Sequence, residues 1–485
     1  MGEKVINFVS FILVLLIVIL YKKTAKLQLN SNSFSKNIRL ALFWIYIILQ
    51  SYIGGAYIVQ NIFCEPSFGD TSEYIAMSYE GEKNAYRSML YPLIIKLCRK
   101  VIGADHYMLS LYVFQMAVAV ISIAYLVVII LKHSNSGYNW ADVCAITMGV
   151  FFIPQVMGFN MAVLTDSFAC SMLIIMTACG TDVFCNRKMN LKNMIVLCVS
   201  FSLGILLRYE RMVFGIAFFL GLAVGVYWMK REKKIFYQIA VVIFVGIVLS
   251  QGFNALTPNS EMDSRHEMST ELILLPRIVP GYGEKYYDKY SEATRKIFNK
   301  EMLKGIDDEA VYIPSLLYEL EDYYSKEKVS AAIYDMCRTI LANEWMSIFI
   351  DTLAKCFLYA FPRLFAIIEF HIAHVGGLDW NYSRFIMHTP TLSDFYYRFG
   401  VYIPLIGTIC CVFRQIYLFI KCRKQQKKLA VWGIVVLVWV LSIGIWGVVN
   451  PSRANDRYVL VFYIFGELWM LLKWTNNENL RVEKC

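Results

Sequence analysis

Charged residues are scarce in this sequence, and the short motifs of common soluble enzymes are missing. Asp, Glu, Lys and Arg make up 17% of the 485 residues, whereas hydrophobic residues make up 58% and the mean hydropathy is +0.50. There is no Walker loop, no dinucleotide-binding fingerprint, no GxSxG elbow and no internal repeat. This composition excludes an ordinary soluble protein and predicts a polytopic membrane protein.

Metal-binding patterns are also missing from the thirteen cysteines and six histidines. No cysteine pair has zinc-ligand spacing, and many cysteines fall in apolar segments, where cysteine behaves as a small hydrophobic residue. Cys64, Cys98, Cys337 and Cys356 lie outside those segments, and whether two of them form a disulfide stays open. No metal site is predicted.

About eleven apolar segments approach the length of about 20 residues that a helix needs to cross a bilayer core of about 30 Å. The predicted fold is therefore an all-α transmembrane helix bundle. The segments lie near residues 5–21, 42–63, 106–131, 140–159, 167–184, 193–207, 212–229, 235–254, 399–420, 429–449 and 458–473.

Basic residues cluster in every second loop, which predicts the orientation, because short cytoplasmic loops retain Lys and Arg. The basic loops are 22–39, the loop near Arg187, 230–234 and 421–428. They place the N-terminus outside and the C-terminal tail in the cytoplasm. The first span is predicted to be a retained helix, with a signal peptide as the alternative. The net charge of +10 is thus a cytoplasmic-loop effect, and no nucleic-acid partner is predicted.

Three regions are predicted. An N-terminal transmembrane module, 1–254, contains a first outer loop, 64–105; an extracytoplasmic and mostly helical cap spans 255–397; C-terminal transmembrane helices and a cytoplasmic tail occupy 398–485. The cap carries 14 Lys and Arg against 21 Asp and Glu, a net charge of −7. Within it, the stretch from Trp345 carries charges at intervals, which favours a helix lying on the membrane surface over a further span.

Charges at the predicted outer ends of spans are the most informative residues, because an ionisable group at the bilayer boundary is costly to desolvate and is a functional-site candidate. Four places qualify. They are Asp70 with Glu73 and Tyr74, Asp166, the turn of Arg208, Glu210 and Arg211, and the turn of Arg453, Asp456 and Arg457.

Asp166 has two compatible interpretations. It stands at the start of a predicted helix, where an aspartate can cap backbone N–H groups and favour the helix dipole, and it can equally belong to a site. Arg208 and Arg211 could snorkel to the interface, with Glu210 neutralising one of them.

Arginines and carboxylates on one face of a bundle fit a definite chemistry. The planar arginine fork suits phosphate oxygens, and a carboxylate can accept the proton of a hydroxyl nucleophile. A lipid phosphate that carries a sugar would be a natural ligand at the outer membrane surface. Such a leaving group needs little protonation at neutral pH.

The order of these motifs resembles that of GT-C fold membrane glycosyltransferases, the superfamily of protein mannosyltransferases and aminoarabinose transferases. The resemblance rests on "GDTSEYIAMS" in the first large outer loop and on "RSMLYPLII", a proline-containing amphipathic helix before the next span. It continues through "LTDS", "GILLRYERM" and "DRYVLVFYIF", and it covers about residues 42 to 473.

The resemblance implies an inverting transfer of a sugar from a polyprenyl-phosphate donor to a glycan, lipid or protein of the cell envelope. Outer juxtamembrane helices are part of the implied fold, and the active site faces the extracytoplasmic side. The implied roles are a general base for Asp70, a second acid for Asp166, donor-phosphate binding for Arg208, Arg457, Arg87 and Arg211, and substrate binding for Tyr74, Glu73 and Tyr91. Some relatives use a divalent cation and others do not, so the cofactor stays unknown.

Other activities would place similar charges in outer turns. A polysaccharide polymerase or ligase also binds a polyprenyl carrier from the outer side, and a lipid-linked sugar flippase or transporter is a further alternative. Repeat-type transporters have paired, broken spans in two halves, and the sequence has no such symmetry. The abundance of Ile, Lys, Asn and Tyr is typical of a low-GC bacterium, which predicts the plasma membrane.

Overall fold

The computed structural model describes residues 34–61, 69–81, 87–133, 140–186, 188–209, 211–228, 233–257, 271–307 and 313–360, with isolated positions between 433 and 472. Every regular element in these ranges is a helix. The helices are α1 Phe34–Asn61, α2 Gly69–Glu80, α3 Leu90–Ile102, α4 Tyr107–His133, α5 Trp140–Phe151, α6 Pro154–Asn160, α7 Asp166–Asn186, α8 Leu191–Leu207, α9 Arg211–Trp228, α10 Lys233–Leu256, α11 Glu271–Ile278, α12 Glu292–Ile297, α13 Lys300–Asp307, α14 Ile313–Tyr323 and α15 Lys326–Ala360.

The apolar helices pack around α7, which is buried along almost its whole length. α7 contacts both α4 and α8, and α8 in turn contacts α10. Within the described residues, three helices are long and apolar enough to cross a membrane: Tyr107–His133, Asp166–Asn186 and Lys234–Leu256. Shorter apolar helices, among them Leu191–Leu207, complete the bundle. The count of eleven spans is not tested, since 5–21 and 399–420 lie outside the described residues.

One predicted span differs from the structure. The segment 140–159 is not a single helix: α5 ends at Phe151 and α6 begins at Pro154. Proline has no backbone N–H and its ring clashes with the preceding turn, so a helix cannot run through it undisturbed. The chain then continues through turns at 161–165 before α7 begins. The break therefore leaves an irregular segment inside the bundle.

Two helices, α2 and α3, lie in the predicted first outer loop, between α1 and α4. α3 is the predicted proline-containing amphipathic helix. Its Tyr91 and Ile95 are buried, whereas Leu97 and Val101 are more than half exposed. This apolar outer face suits a helix resting on a membrane surface, and that contact stays a prediction.

Phe201 of α8 lies between glycines of two neighbouring helices. A methyl group added to Gly215 of α9 would lie 2.1 Å from the Phe201 ring, and one added to Gly246 of α10 would lie 2.5 Å from it. Phe201 is 1% exposed and packs edge-to-face against Phe219, with ring centroids 5.2 Å apart. Small residues at these positions let the three helices approach closely.

We expect Gly215→Ala to lower the melting temperature of the protein in detergent, because an overpacked core costs about 1–3 kcal/mol. Gly252→Ala is the matched control: it lies in α10, where an added methyl group meets nothing within 4 Å. Replacing a helix glycine by alanine where there is room stabilises by about 0.5–1 kcal/mol. Thermal unfolding followed by circular dichroism measures both variants, and equal melting temperatures would contradict the packing described here.

Helices α11 to α15 surround a second apolar core, whose members are Leu275, Ile278, Val279, Tyr286, Tyr290, Ile297, Phe298, Leu303, Ile306, Leu316, Leu317, Leu320, Val329, Ala332, Ile333, Met336, Cys337 and Ile340. Asp307 fixes the loop after α11, because its carboxylate accepts the backbone N–H groups of Gly281, Gly283 and Glu284 at 3.0–3.1 Å. The described part of the predicted cap is therefore helical with a core of its own. The predicted domain boundaries at 254/255 and 397/398 are not tested.

The long helix α15 bends at Glu344, whose backbone is non-helical. The carboxylate of Glu344 accepts hydrogen bonds from Lys285 and, at 2.7 Å, from the Tyr286 hydroxyl. The bond from Lys285 is the main cause that lowers the pKa of Glu344 to about 2. Beyond the bend, Trp345 and Phe349 are more than half exposed. The predicted membrane-surface helix begins here, and its residues beyond 360 lie outside the described part of the chain.

Two of the four cysteines considered for a disulfide are buried free thiols, Cys98 and Cys337. The structure describes neither Cys64 nor the side chain of Cys356.

Candidate active site

Helix α2, which carries Asp70 as its second residue, is joined to the turn that precedes α7. The hydroxyl of Thr71 donates to the backbone carbonyl of Val163 at 3.2 Å, and the hydroxyls of Tyr74 and Thr165 lie 3.3 Å apart. Thr71 and Tyr74 are both buried. The residue after Asp70 is thereby held to a residue only three positions before Asp166. The side chain of Asp70 lies outside the described residues.

A buried ion pair joins the beginning of α7 to the end of α8. Nη2 of Arg208 lies 2.9 Å from each carboxylate oxygen of Asp166 and donates a hydrogen bond to Oδ2. The Asp166 side chain is 1% exposed and that of Arg208 is 11% exposed. Asp166 is the first residue of α7, where a negative charge is favourable, and Arg208 follows the last residue of α8, where a positive charge is favourable. Asp166 therefore lies at a helix terminus and pairs with Arg208, while its membership of a site stays a prediction.

Arg211 opens α9 within the same turn, since its backbone N–H donates to the carbonyl of Arg208 at 2.9 Å. Its side chain is 2% exposed, and its guanidinium carbon lies 5.4 Å from the centroid of the Phe214 ring. A Cβ atom on Gly204 would lie 3.8 Å from the Arg211 Cβ. Two guanidinium groups and one carboxylate are thus buried at the junction of α7, α8 and α9.

Arg87 and Glu73 form an ion pair over Tyr74. Arg87 Nε lies 3.0 Å from Glu73 Oε2, and the guanidinium carbon lies 4.7 Å from the centroid of the Tyr74 ring. The Glu73 side chain is 50% exposed and the Arg87 side chain 18% exposed. The predicted substrate-binding residues Glu73 and Tyr74 are therefore neighbours, and Arg87 contacts both.

Tyr91 packs against Tyr74, with ring centroids 5.1 Å apart in an edge-to-face arrangement. Its hydroxyl donates to Oε1 of Gln115 at 2.8 Å. Tyr91 is 1% exposed, and burial raises its pKa well above the ordinary value, with the neighbouring Tyr74 and Asp166 adding to the rise. The Tyr91 hydroxyl therefore stays neutral and remains a hydrogen-bond donor at physiological pH.

Four predicted residues, Glu73, Tyr74, Arg87 and Tyr91, are in contact around the Tyr74 ring. Asp166 pairs with Arg208, and Arg211 adjoins this pair. Four predicted residues cannot be placed, because Glu210, Arg453, Asp456 and Arg457 lie outside the described residues. Gln115 was not predicted. A single amide in an apolar helix has no spacing pattern that would single it out.

Within the part of the chain that the structure describes, no three His, Cys, Asp or Glu side chains are arranged to hold a metal ion.

No protein-family model matches the sequence, and no curated protein matches it. Among solved structures, the crystal structure of ArnT from Cupriavidus metallidurans bound to undecaprenyl phosphate is similar to this chain. The match has 11% sequence identity and a TM-score of 0.32, and it covers 88% of this chain and 77% of ArnT. The residue roles proposed below rest on the contacts described above and not on this similarity.

Proposed function

We propose that this protein is a membrane glycosyltransferase that moves a sugar from a polyprenyl-phosphate donor to a glycan, lipid or protein acceptor of the cell envelope. The reaction takes place on the extracytoplasmic side of the plasma membrane. The observation that supports it is the burial of Asp166, Arg208 and Arg211 at one helix junction, beside the turn to which the helix of Asp70 is joined.

Arginine is suited to the donor phosphate, because its planar fork matches phosphate oxygens and stays charged when buried. Arg208 and Arg211 are the proposed phosphate ligands, together with Arg457. Arg208 already contacts Asp166, so the carboxylate holds the guanidinium in one orientation before the donor arrives. Arg87 is the fourth proposed ligand, and it would have to share its charge with Glu73.

Asp70 is the proposed general base. An acceptor hydroxyl loses its proton to Asp70 while its oxygen forms a bond to the anomeric carbon of the sugar. The bond between that carbon and the phosphate oxygen breaks, its electron pair stays with the lipid phosphate, and the configuration at the anomeric carbon inverts. Glu73, Tyr74 and Tyr91 are the proposed substrate contacts. Asp166 is the proposed second acid, which positions the acceptor or assists its deprotonation.

The direct test is transfer by the purified protein in nanodiscs. Undecaprenyl-phosphate sugars labelled in the sugar are supplied with an extract of envelope glycans, lipids and proteins, and both free lipid phosphate and labelled acceptor are measured. We expect one labelled sugar to be transferred for each lipid phosphate released. Transfer of whole oligosaccharides from a pyrophosphate carrier would favour a polymerase or ligase, and movement of intact donor between leaflets would favour a flippase.

A further inference from the structure

The segment between α6 and α7 is irregular and buried. Residues 161–165 form turns, and each of these five residues is at most 2% exposed. Inside a helix bundle, backbone carbonyls that have no helical partner must find another donor, because no water is available to them. The carbonyl oxygens of this segment therefore need side-chain donors from neighbouring helices.

The amide of Gln115 in α4 donates to one carbonyl of this segment and to the carbonyl of the last residue of α6. Its Nε2 donates to the carbonyl of Asn160 at 2.8 Å and to the carbonyl of Ala162 at 3.0 Å. Gln115 is 0% exposed. Its Oε1 accepts the hydroxyl of Tyr91, so both ends of the amide have a partner and the orientation of the side chain is fixed. The same side chain thus joins α4, α3 and the irregular segment.

The residues bonded to Gln115 lie close in sequence or in contact with the segments that carry the two predicted acids, Asp70 and Asp166. On one side, Ala162 is followed by Val163, which accepts the Thr71 hydroxyl, and then by Asp166 at the start of α7. On the other side, Tyr91 packs against Tyr74 of α2. The hydroxyl of Tyr74 in turn contacts the hydroxyl of Thr165, the residue before Asp166. The placement of α2 against the beginning of α7 therefore rests on the direct contacts of Thr71 and Tyr74 and, through Tyr91 and the turns at 161–165, on the three hydrogen bonds of Gln115.

We propose that Gln115 is a positioning residue, which sets the placement of Asp70 relative to Asp166 without contacting the substrate. This inference rests on the proposed transfer reaction. Replacing the amide by an apolar side chain leaves two buried carbonyls and one buried hydroxyl without their partner, and the segment relaxes away from α4. Misplacement by about 1 Å can cost about 100-fold in rate.

The test compares Gln115→Leu with Ser122→Ala. Ser122 is also a fully buried polar residue of α4, but its hydroxyl bonds only to the carbonyl of Ala119 within that helix. We expect Gln115→Leu to lower kcat about 100-fold, with a much smaller change in the donor KM. We also expect hydrogen exchange to accelerate in peptides covering 69–80 and 160–165. Ser122→Ala should leave kcat and these exchange rates unchanged.

Three outcomes would overturn the inference: exchange rates that do not change in Gln115→Leu, a kcat that falls no further than in Ser122→Ala, or an effect confined to the donor KM. Hydrogen exchange tests whether Gln115 holds α2 and the segment 161–165 in place, and it does not require sugar transfer. If the wild-type protein transfers no sugar, the proposed function fails, while the exchange rates still test the role of Gln115. Should Gln115→Leu fail to fold, Gln115→Met removes the same hydrogen bonds with a side chain of nearly the same length. It should lower kcat in the same way, and an unchanged kcat would overturn the inference.

Discussion

Replacing Asp70 by asparagine is expected to abolish sugar transfer while donor binding stays intact. Asparagine has nearly the size of aspartate but cannot take the proton of an acceptor hydroxyl, and the loss of a general base typically costs about 10²–10⁴-fold in kcat. The next residue, Thr71, holds α2 to Val163, so the helix should keep its place in the variant. The measurement is kcat and donor KM of the purified protein with a labelled polyprenyl-phosphate sugar.

Asp105→Asn is the matched control for this change. Asp105 lies in the exposed turn after α3, within the same predicted outer loop, so the variant alters the charge of the loop in the same way. We expect it to retain the kcat of the wild type. If Asp70→Asn also retained it, Asp70 would not be the base, although the protein would still be a transferase. If both variants lost activity, the charge of the loop would be responsible.

The helices of the bundle follow the apolar segments of the sequence closely. The segments 106–131 and 167–184 correspond to α4 and α7, and each boundary differs by only one or two residues. Apolar length predicts a membrane helix well because the thickness of the bilayer sets that length. The segment 140–159 is the exception, since hydropathy alone does not register the break that Pro154 imposes on the backbone.

The contacts of the candidate site could be predicted only in part. The alternation of basic loops predicts that Asp166 and Arg208 share one side of the membrane, and the short connection between α7 and α8 makes these helices neighbours. Their proximity is therefore predictable, but their ion pair is not, because the sequence indicates Glu210 as the acid that neutralises an arginine. The role of Gln115 could not be predicted, because its partners are backbone carbonyls of an irregular segment, and no side-chain pattern marks such carbonyls.

Neutralising Arg208 alone is expected to destabilise the protein, whereas neutralising Asp166 and Arg208 together should recover stability but not donor binding. Removing one partner of a buried ion pair leaves an uncompensated charge and costs about 3–5 kcal/mol, while replacing both is often nearly neutral. Arg208→Gln, Asp166→Asn and the double variant are compared by thermal unfolding and by donor KM. The stability effects should be strongly non-additive, because the two side chains are in direct contact.

Asp182→Asn is the control for these variants, because it removes a negative charge from α7 far from the candidate site. Asp182 lies 16 residues after Asp166 on the same helix, which corresponds to about 24 Å, and it accepts hydrogen bonds from His133 and Asn186 at 2.9 and 2.8 Å. This variant should lose stability and keep the donor KM. A double variant at Asp166 and Arg208 that kept the donor KM as well would make the pair purely structural. If the double variant regains stability while its donor KM stays raised, lost stability cannot explain the weaker binding. The pair then contributes to donor binding, in agreement with Arg208 as a phosphate ligand.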